Sequence, residues 1–124
     1  MSEVEENAVK ISLDISGKRV EGQLLRHLSP RTFSSLVRLL PITAPSIKED
    51  RYISILANLS LQADKYTNLV KTGDIVYRPK NRSICIFLQD TRTDERMVPI
   101  GRMENIELLR DTKGSSMVKM SSVL

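Results

Sequence analysis

The chain has 124 residues, 40% hydrophobic and 27% charged, which suits one folded domain with one core and excludes a disordered chain. Only 4% are aromatic and tryptophan is absent, so aliphatic side chains must fill that core. A single cysteine rules out an internal disulfide, no apolar run approaches the roughly 20 residues of a membrane span, and the net charge of +4 comes from 19 basic and 15 acidic residues dispersed along the chain.

Met1–Asn7 carries Glu3, Glu5 and Glu6 and no apolar stretch, the opposite of a secretory signal. It reads as a flexible acidic tail before a single domain over residues 8–121, with 122–124 as a short C-terminal tail. Together with the lone cysteine this points to the cytoplasm. Without the three glutamates, residues 8–124 carry +7. Phosphate backbones attract clustered positive charge. The dispersal of these cations argues for solubility rather than a nucleic-acid footprint.

Val9, Ile11, Leu13 and Ile15 alternate with polar residues, the period of a half-buried strand. Ser16-Gly17 is a turn signal, and Val20, Gly22 and Leu24 continue the alternation, so a hairpin is expected over about residues 8–26. Ser29 is placed to cap a helix opened by Pro30, with Leu28 and Phe33 as a hydrophobic staple. Phe33, Leu36, Val37 and Leu40 repeat at helical spacing until Pro41 stops them. Ile42–Asp50 reads as irregular, with a turn at Pro45-Ser46. A strand follows from about Tyr52 to Asn58, and Gln62–Lys71 reads as a loop with a short helical turn near Tyr66.

Gly73–Leu88 is the clearest hairpin: Ile75-Val76-Tyr77, a polar turn at Arg78–Arg82, then Ser83–Leu88, apolar enough to be covered on both faces. Gln89–Arg96 reads as a charged loop and Met97–Met103 as a strand with Pro99 at an edge or bulge. Glu104–Arg110 suggests a short helix and Met117–Met120 a last strand. About eight short strands with one main and one short helix describe a mainly β protein, a closed or nearly closed barrel.

The run Gly73-Asp74-Ile75-Val76-Tyr77-Arg78-Pro79, followed by Ile84-Cys85-Ile86-Phe87-Leu88, resembles the small stand-alone cyclophilin-like proteins of bacteria and archaea. Pro99-Ile100-Gly101-Arg102-Met103-Glu104 is similar to that family's next segment. The resemblance implies a cyclophilin-like barrel, and most such proteins have no assigned activity. Cyclophilins proper are prolyl isomerases. They carry Phe-His-Arg soon after the first helix and Gln-Phe-Phe on a later strand, where this chain has Leu40–Pro45 and Ser83–Phe87. No arginine or glutamine is carried over, so no catalytic residue is assigned.

Few residues offer chemistry outside that frame. His27, the sole histidine, has no ligand-spaced partner, so neither a metal nor a cofactor is expected. Cys85 lies inside an apolar strand and reads as a buried thiol. Arg51-Tyr52 is a recognition pair at a strand start, and Tyr77, Phe87 and Met97 are the side chains that would line a groove beside it. Arg78, Lys80 and Arg82, with Arg92 and Arg96 from the next loop, would form a basic rim. Asp90, Asp94 and Glu95 offer ion pairs instead. The favoured reading is a non-catalytic barrel binding a peptide or small ligand, with no membrane partner. A divergent isomerase would need Arg51 as its guanidinium, and a nucleic-acid module would use Arg78–Arg96. An apolar groove also serves as a subunit interface, with Val98–Met103 as a candidate edge.

Overall fold

The first alternating run folds as expected. In a computed structural model, which describes residues 7–112 and 114–123, β1 (Ala8–Ile15) and β2 (Lys18–Leu25) pair antiparallel. Ser16 and Gly17 both take positive φ, 51° and 76°, the conformation that lets a two-residue turn follow strand twist. Ile11, Leu13, Ile15, Val20 and Leu24 share one buried side. Residues 1–6 of the expected acidic tail lie outside the described residues. The Asn7 carbonyl accepts Arg26 N–H at 2.9 Å.

A 3-10 turn (Arg26–Leu28) leads into α1 (Pro30–Leu39), which buries Phe33 and Leu36. Its cap is not the expected one. The Ser29 hydroxyl donates backwards to Leu28 O at 2.7 Å and caps nothing. Asp64 replaces it: Oδ2 accepts the Arg31 N–H at 3.1 Å, where a carboxylate also complements the helix dipole. Thr32 Oγ1 donates to the neighbouring Gln62 carbonyl. The helix stops before Leu40-Pro41, a cis peptide.

Three stretches read as loops contain strands. Ile42–Asp50 holds β3 (Ile42–Lys48), whose inward residues Ala44 and Ser46 are too small or polar to announce a strand. Pro45 faces outward there, and its carbonyl accepts Leu56 N–H at 2.8 Å. β4 (Tyr52–Ile55) is shorter than expected, and the left-handed φ of Asn58 (53°) lies beyond it. Leu59 and Leu61 still reach the core. β5 (Thr67–Val70) replaces the loop near Tyr66, and β8 (Thr91–Met103) starts within the charged segment Gln89–Arg96.

The expected hairpin is present as β6 (Asp74–Arg78) and β7 (Ser83–Phe87), with every residue of β7 buried. The chain ends through α2 (Glu107–Arg110) and β9 (Ser115–Ser122). All pairings are antiparallel, in the order β2-β1-β9-β3-β4-β7-β6-β8, and β8 returns to β2. Eight strands therefore close a barrel, with β5 added to β8 as a ninth. Val98–Met103, expected as an edge, is paired with β6 on one side and, from Gly101, with β2 on the other.

Side chains fill the interior, as in other small barrels, and both helices contribute: Phe33 and Leu36 from α1, Leu109 from α2. Lysines tie α2 to the wall. Lys18 Nζ donates to Leu108 O at 3.2 Å and Lys48 Nζ to Arg110 O. Among the described residues, no helix is long and apolar enough to cross a membrane.

Closure depends on two glycines at opposite ends of the β2–β8 seam, where Gly22 pairs with Met103 and Gly101 with Leu24. A Cβ on Gly22 would stand 2.5 Å from Arg102 O, and one on Gly101 would collide with Gln23 O. Both obstacles are backbone, which cannot rotate away. Gly101→Ala is therefore expected to cost about 2–3 kcal/mol in urea unfolding. Gly17→Asn, at an open turn position where asparagine tolerates positive φ, should stay within about 0.5 kcal/mol. Equal stability of Gly101→Ala and the parent would contradict a tight seam.

Candidate functional site

The outer face of β4, β7 and β6 carries a second, smaller core. Val70, Val76, Cys85, Phe87 and Met97 are buried together with half-buried Tyr52 against them. The Tyr52 and Phe87 rings lie 5.0 Å apart, tilted by 37°, a favourable aromatic geometry. The β5–β8 register explains what covers this face. It jumps from Leu69↔Arg92 to Thr67↔Met97, so β8 arches outward between them. Asn68 fills the arch, its Nδ2 donating to Thr93 O at 3.2 Å and Glu95 O at 3.1 Å. The arch delivers Glu95 to Arg78, whose Nε and Nη2 donate to the two carboxylate oxygens at 2.8 and 2.6 Å.

Electrostatics follow this arrangement. The Arg78 hydrogen bonds hold the Glu95 carboxyl below the usual glutamate range, and Glu95 in turn raises the guanidinium. Burial pushes the Tyr52 phenol up, against the opposing pull of Arg78. Burial likewise raises the Cys85 thiol, partly offset by hydrogen bonds with Ser83 and Ser54. Such a thiol is a poor nucleophile.

Of the residues read as groove-lining, Tyr52, Phe87 and Met97 do come together. Phe87 is fully buried and Met97 is 3% exposed, however, so they present almost no surface to a ligand. Tyr77 turns the other way, into the barrel core, and its hydroxyl donates to Leu59 O at 2.6 Å. Arg51 is exposed, its carbonyl accepting Leu88 N–H at 2.8 Å. The basic rim does not converge. Arg78 is paired with Glu95, and Arg96 lies 4.5 Å over the Tyr66 ring. Lys80 and Arg82 are exposed on the hairpin turn, where Arg82 takes φ 58°. Arg92 lines a shallow depression with Leu69, Lys71 and Asp90.

An open groove lies elsewhere on the outer wall. It follows the one edge of β8 along which β2 and β5 both pair, with Pro99 between the residues that meet β2 (Gly101–Met103) and the residue that meets β5 (Met97). Proline has no N–H to offer a ladder. The gap is a groove of about 310 Å³ lined by Leu25, His27, Leu28, Leu69, Lys71, Asp74, Pro99, Gly101 and Arg102. Leu69 is 59% exposed on its margin. Asp74 anchors the polar side: its Oδ2 accepts the Lys71 N–H at 2.8 Å, and Oδ1 lies 3.8 Å from Arg102 Nε. The sequence does not mark these residues as one site, because they come from three separated segments, and Asp74, Pro99, Gly101 and Arg102 stand out there only as parts of the family's structural motifs. Among the described residues, no group of three or more histidines, cysteines and carboxylates is placed to hold a metal.

The model of the Cyclophilin-like family matches residues 13–121. The chain belongs to that family. The cyclophilin-like barrel is also seen in the solution structure of the hypothetical protein AF2241 from Archaeoglobus fulgidus. That structure aligns at TM-score 0.77 with 19% identity over 99% of this chain and 100% of the other. McbB, solved in complex with tryptophan, aligns at TM-score 0.70 with 14% identity, covering 90% of this chain and 44% of that one. Comparison with curated proteins returned no match. At these identities the structural likenesses define the fold alone.

In this cyclophilin-like barrel the Arg78–Glu95 clamp links the main sheet to the arch of β8. A glutamate held below its ordinary range stabilises the fold fully above about pH 4.3. That contribution is lost as pH falls through the lowered folded-state value. Asp90, lowered by the Thr72 N–H and hydroxyl, acts in the same direction. Glu95→Gln is expected to lower stability at pH 7 by about 1–2 kcal/mol. Its melting temperature should then fall less steeply than the parent's below about pH 4.5. Identical acid slopes would contradict the clamp.

Proposed function

We propose that this cyclophilin-like protein is a non-catalytic binding barrel that receives a small ligand, or one or two residues of a peptide, in the groove between β2 and β5. The observation that carries this reading is the interrupted edge of β8 at Pro99. There the wall opens into a groove lined by the apolar Leu25, Leu28 and Pro99 together with the charged Lys71, Asp74 and Arg102. An apolar pocket with a few convergent polar groups is the usual form of a ligand site, and about 310 Å³ lies at the small end of the range.

An isomerase reading built on Arg51 has less to stand on. Prolyl isomerisation needs a guanidinium beside an apolar pocket to lower a barrier of about 18–20 kcal/mol. Arg51 is exposed, and its aromatic neighbours Tyr52 and Phe87 pack into a filled face.

Two measurements test the proposal. A screen of small neutral and charged molecules by amide chemical shifts is expected to give hits that move Leu25–Leu28, Leu69–Lys71 and Gly101–Arg102 together. Hits confined to other surfaces would contradict the groove. A prolyl-peptide isomerisation assay is expected to show no rate above background, and a rate abolished by Arg102→Gln would overturn the non-catalytic reading.

A further inference from the structure

We infer that the groove selects a ligand with a single carboxylate attached to an apolar body, the carboxylate seated between Lys71 and Arg102. The inference rests on the groove being the binding site and adds the chemistry of what enters it. Lys71 is held at both of its backbone ends by one partner: its N–H donates to Asp74 Oδ2 at 2.8 Å, and its carbonyl accepts the Asp74 N–H at 2.9 Å. Its ammonium is then left to point from a fixed backbone, and among the described residues no carboxylate lies within ion-pair distance of it. Arg102 is steered in the same way. Its Nε lies 3.8 Å from Asp74 Oδ1 and its Nη2 donates to Thr72 O at 3.4 Å, yet its side chain is 54% exposed.

The charge balance around these two cations decides the ligand's charge. Two carboxylates, Asp74 at the start of β6 and Asp90 between β7 and β8, accept from the Lys71–Thr72 segment, and Asp74 also faces Arg102. Asp74 takes the Lys71 N–H, and Asp90 Oδ1 takes the Thr72 N–H and hydroxyl at 2.8 Å each. Lys71, Arg92 and Arg102 outnumber them by one across the groove and the adjoining depression. A net single positive charge suits a monoanion, whereas the two fixed carboxylates would repel the second charge of a dianionic phosphate. A guanidinium offers a planar pair of donors to a carboxylate. Leu25, Leu28, Leu69 and Pro99 provide apolar groove surface whose burial rewards a hydrocarbon body.

Three probes sharing one body separate the possibilities: 3-phenylpropionate, 3-phenylpropan-1-ol and 3-phenylpropylamine, with acetate and inorganic phosphate as bare anions, each titrated into isotope-labelled protein. The acid is expected to shift the amides of Lys71, Thr72, Gly101 and Arg102, with an affinity at least tenfold above that of the alcohol. Lys71→Gln and Arg102→Gln should each reduce the acid towards the alcohol's affinity, and Leu69→Ser should weaken acid and alcohol alike. If the alcohol or amine binds the same amides as tightly as the acid, the groove stands and the carboxylate assignment falls. If phosphate or acetate alone matches the acid, the apolar half of the assignment falls. If no probe moves those amides, both this inference and the groove reading fail.

Discussion

The barrel depends on the approach of two backbones at the β2–β8 seam. Eight antiparallel strands make a tube only if the first and last in the sheet order meet. Here they meet over three residue pairs, Gly22↔Met103, Gln23↔Arg102 and Leu24↔Gly101. Glycine at both ends of that short contact removes the Cβ atoms that would hold the strands apart. The interior packing of Ile11, Leu13, Val98 and Ile100, and the seating of both helices on it, follow from this closure. So does the groove, because β2 leaves the β8 edge just past Gly101 and β5 joins it only at Met97.

The outer wall shows how a small barrel gains a second buried layer without a second domain. β5 and the arch of β8 fold over β6 and β7 and bury Val76, Cys85 and Phe87 from outside. The arch is a polar construction, with Asn68 satisfying two carbonyls inside it and Arg78 meeting Glu95 at its crest. Charged residues that look like a solvated loop therefore cover apolar ones. This explains why the face near Arg51 and Phe87 is closed while the wall near Pro99 is open.

Much of the fold was legible in the sequence because it is written in short periods. The first hairpin, α1, the β6–β7 hairpin and the late helix each follow from alternation, helical spacing or a turn residue. The Pro99-to-Glu104 segment also led to the right family. What stayed hidden has physical reasons. β3 turns small residues inward, and Pro45 within it reads as turn punctuation. β5 and the start of β8 are polar because the sheet there is held by side-chain hydrogen bonds and an ion pair rather than by apolar burial. The helix cap lay 35 residues downstream of Ser29, at Asp64. The groove was the least legible feature. Its parts come from the end of β2 and the 3-10 turn, from β5 to the start of β6, and from β8, and only barrel closure brings them side by side.

The seam can be probed without changing a residue. Native-state hydrogen exchange on the amides that face β2 across the seam, Arg102 and Glu104 (the latter donating to Glu21 O at 2.8 Å), followed across increasing denaturant, reports whether the closure opens by itself or only with the whole fold. If closure organises the molecule, these amides should exchange with the free energy and denaturant dependence of global unfolding, together with those of Ile11 and Ile86. Exchange through a local opening several kcal/mol below the global value, with the β4–β7–β6 amides still protected, would show that the barrel stands without its seam and would contradict the account.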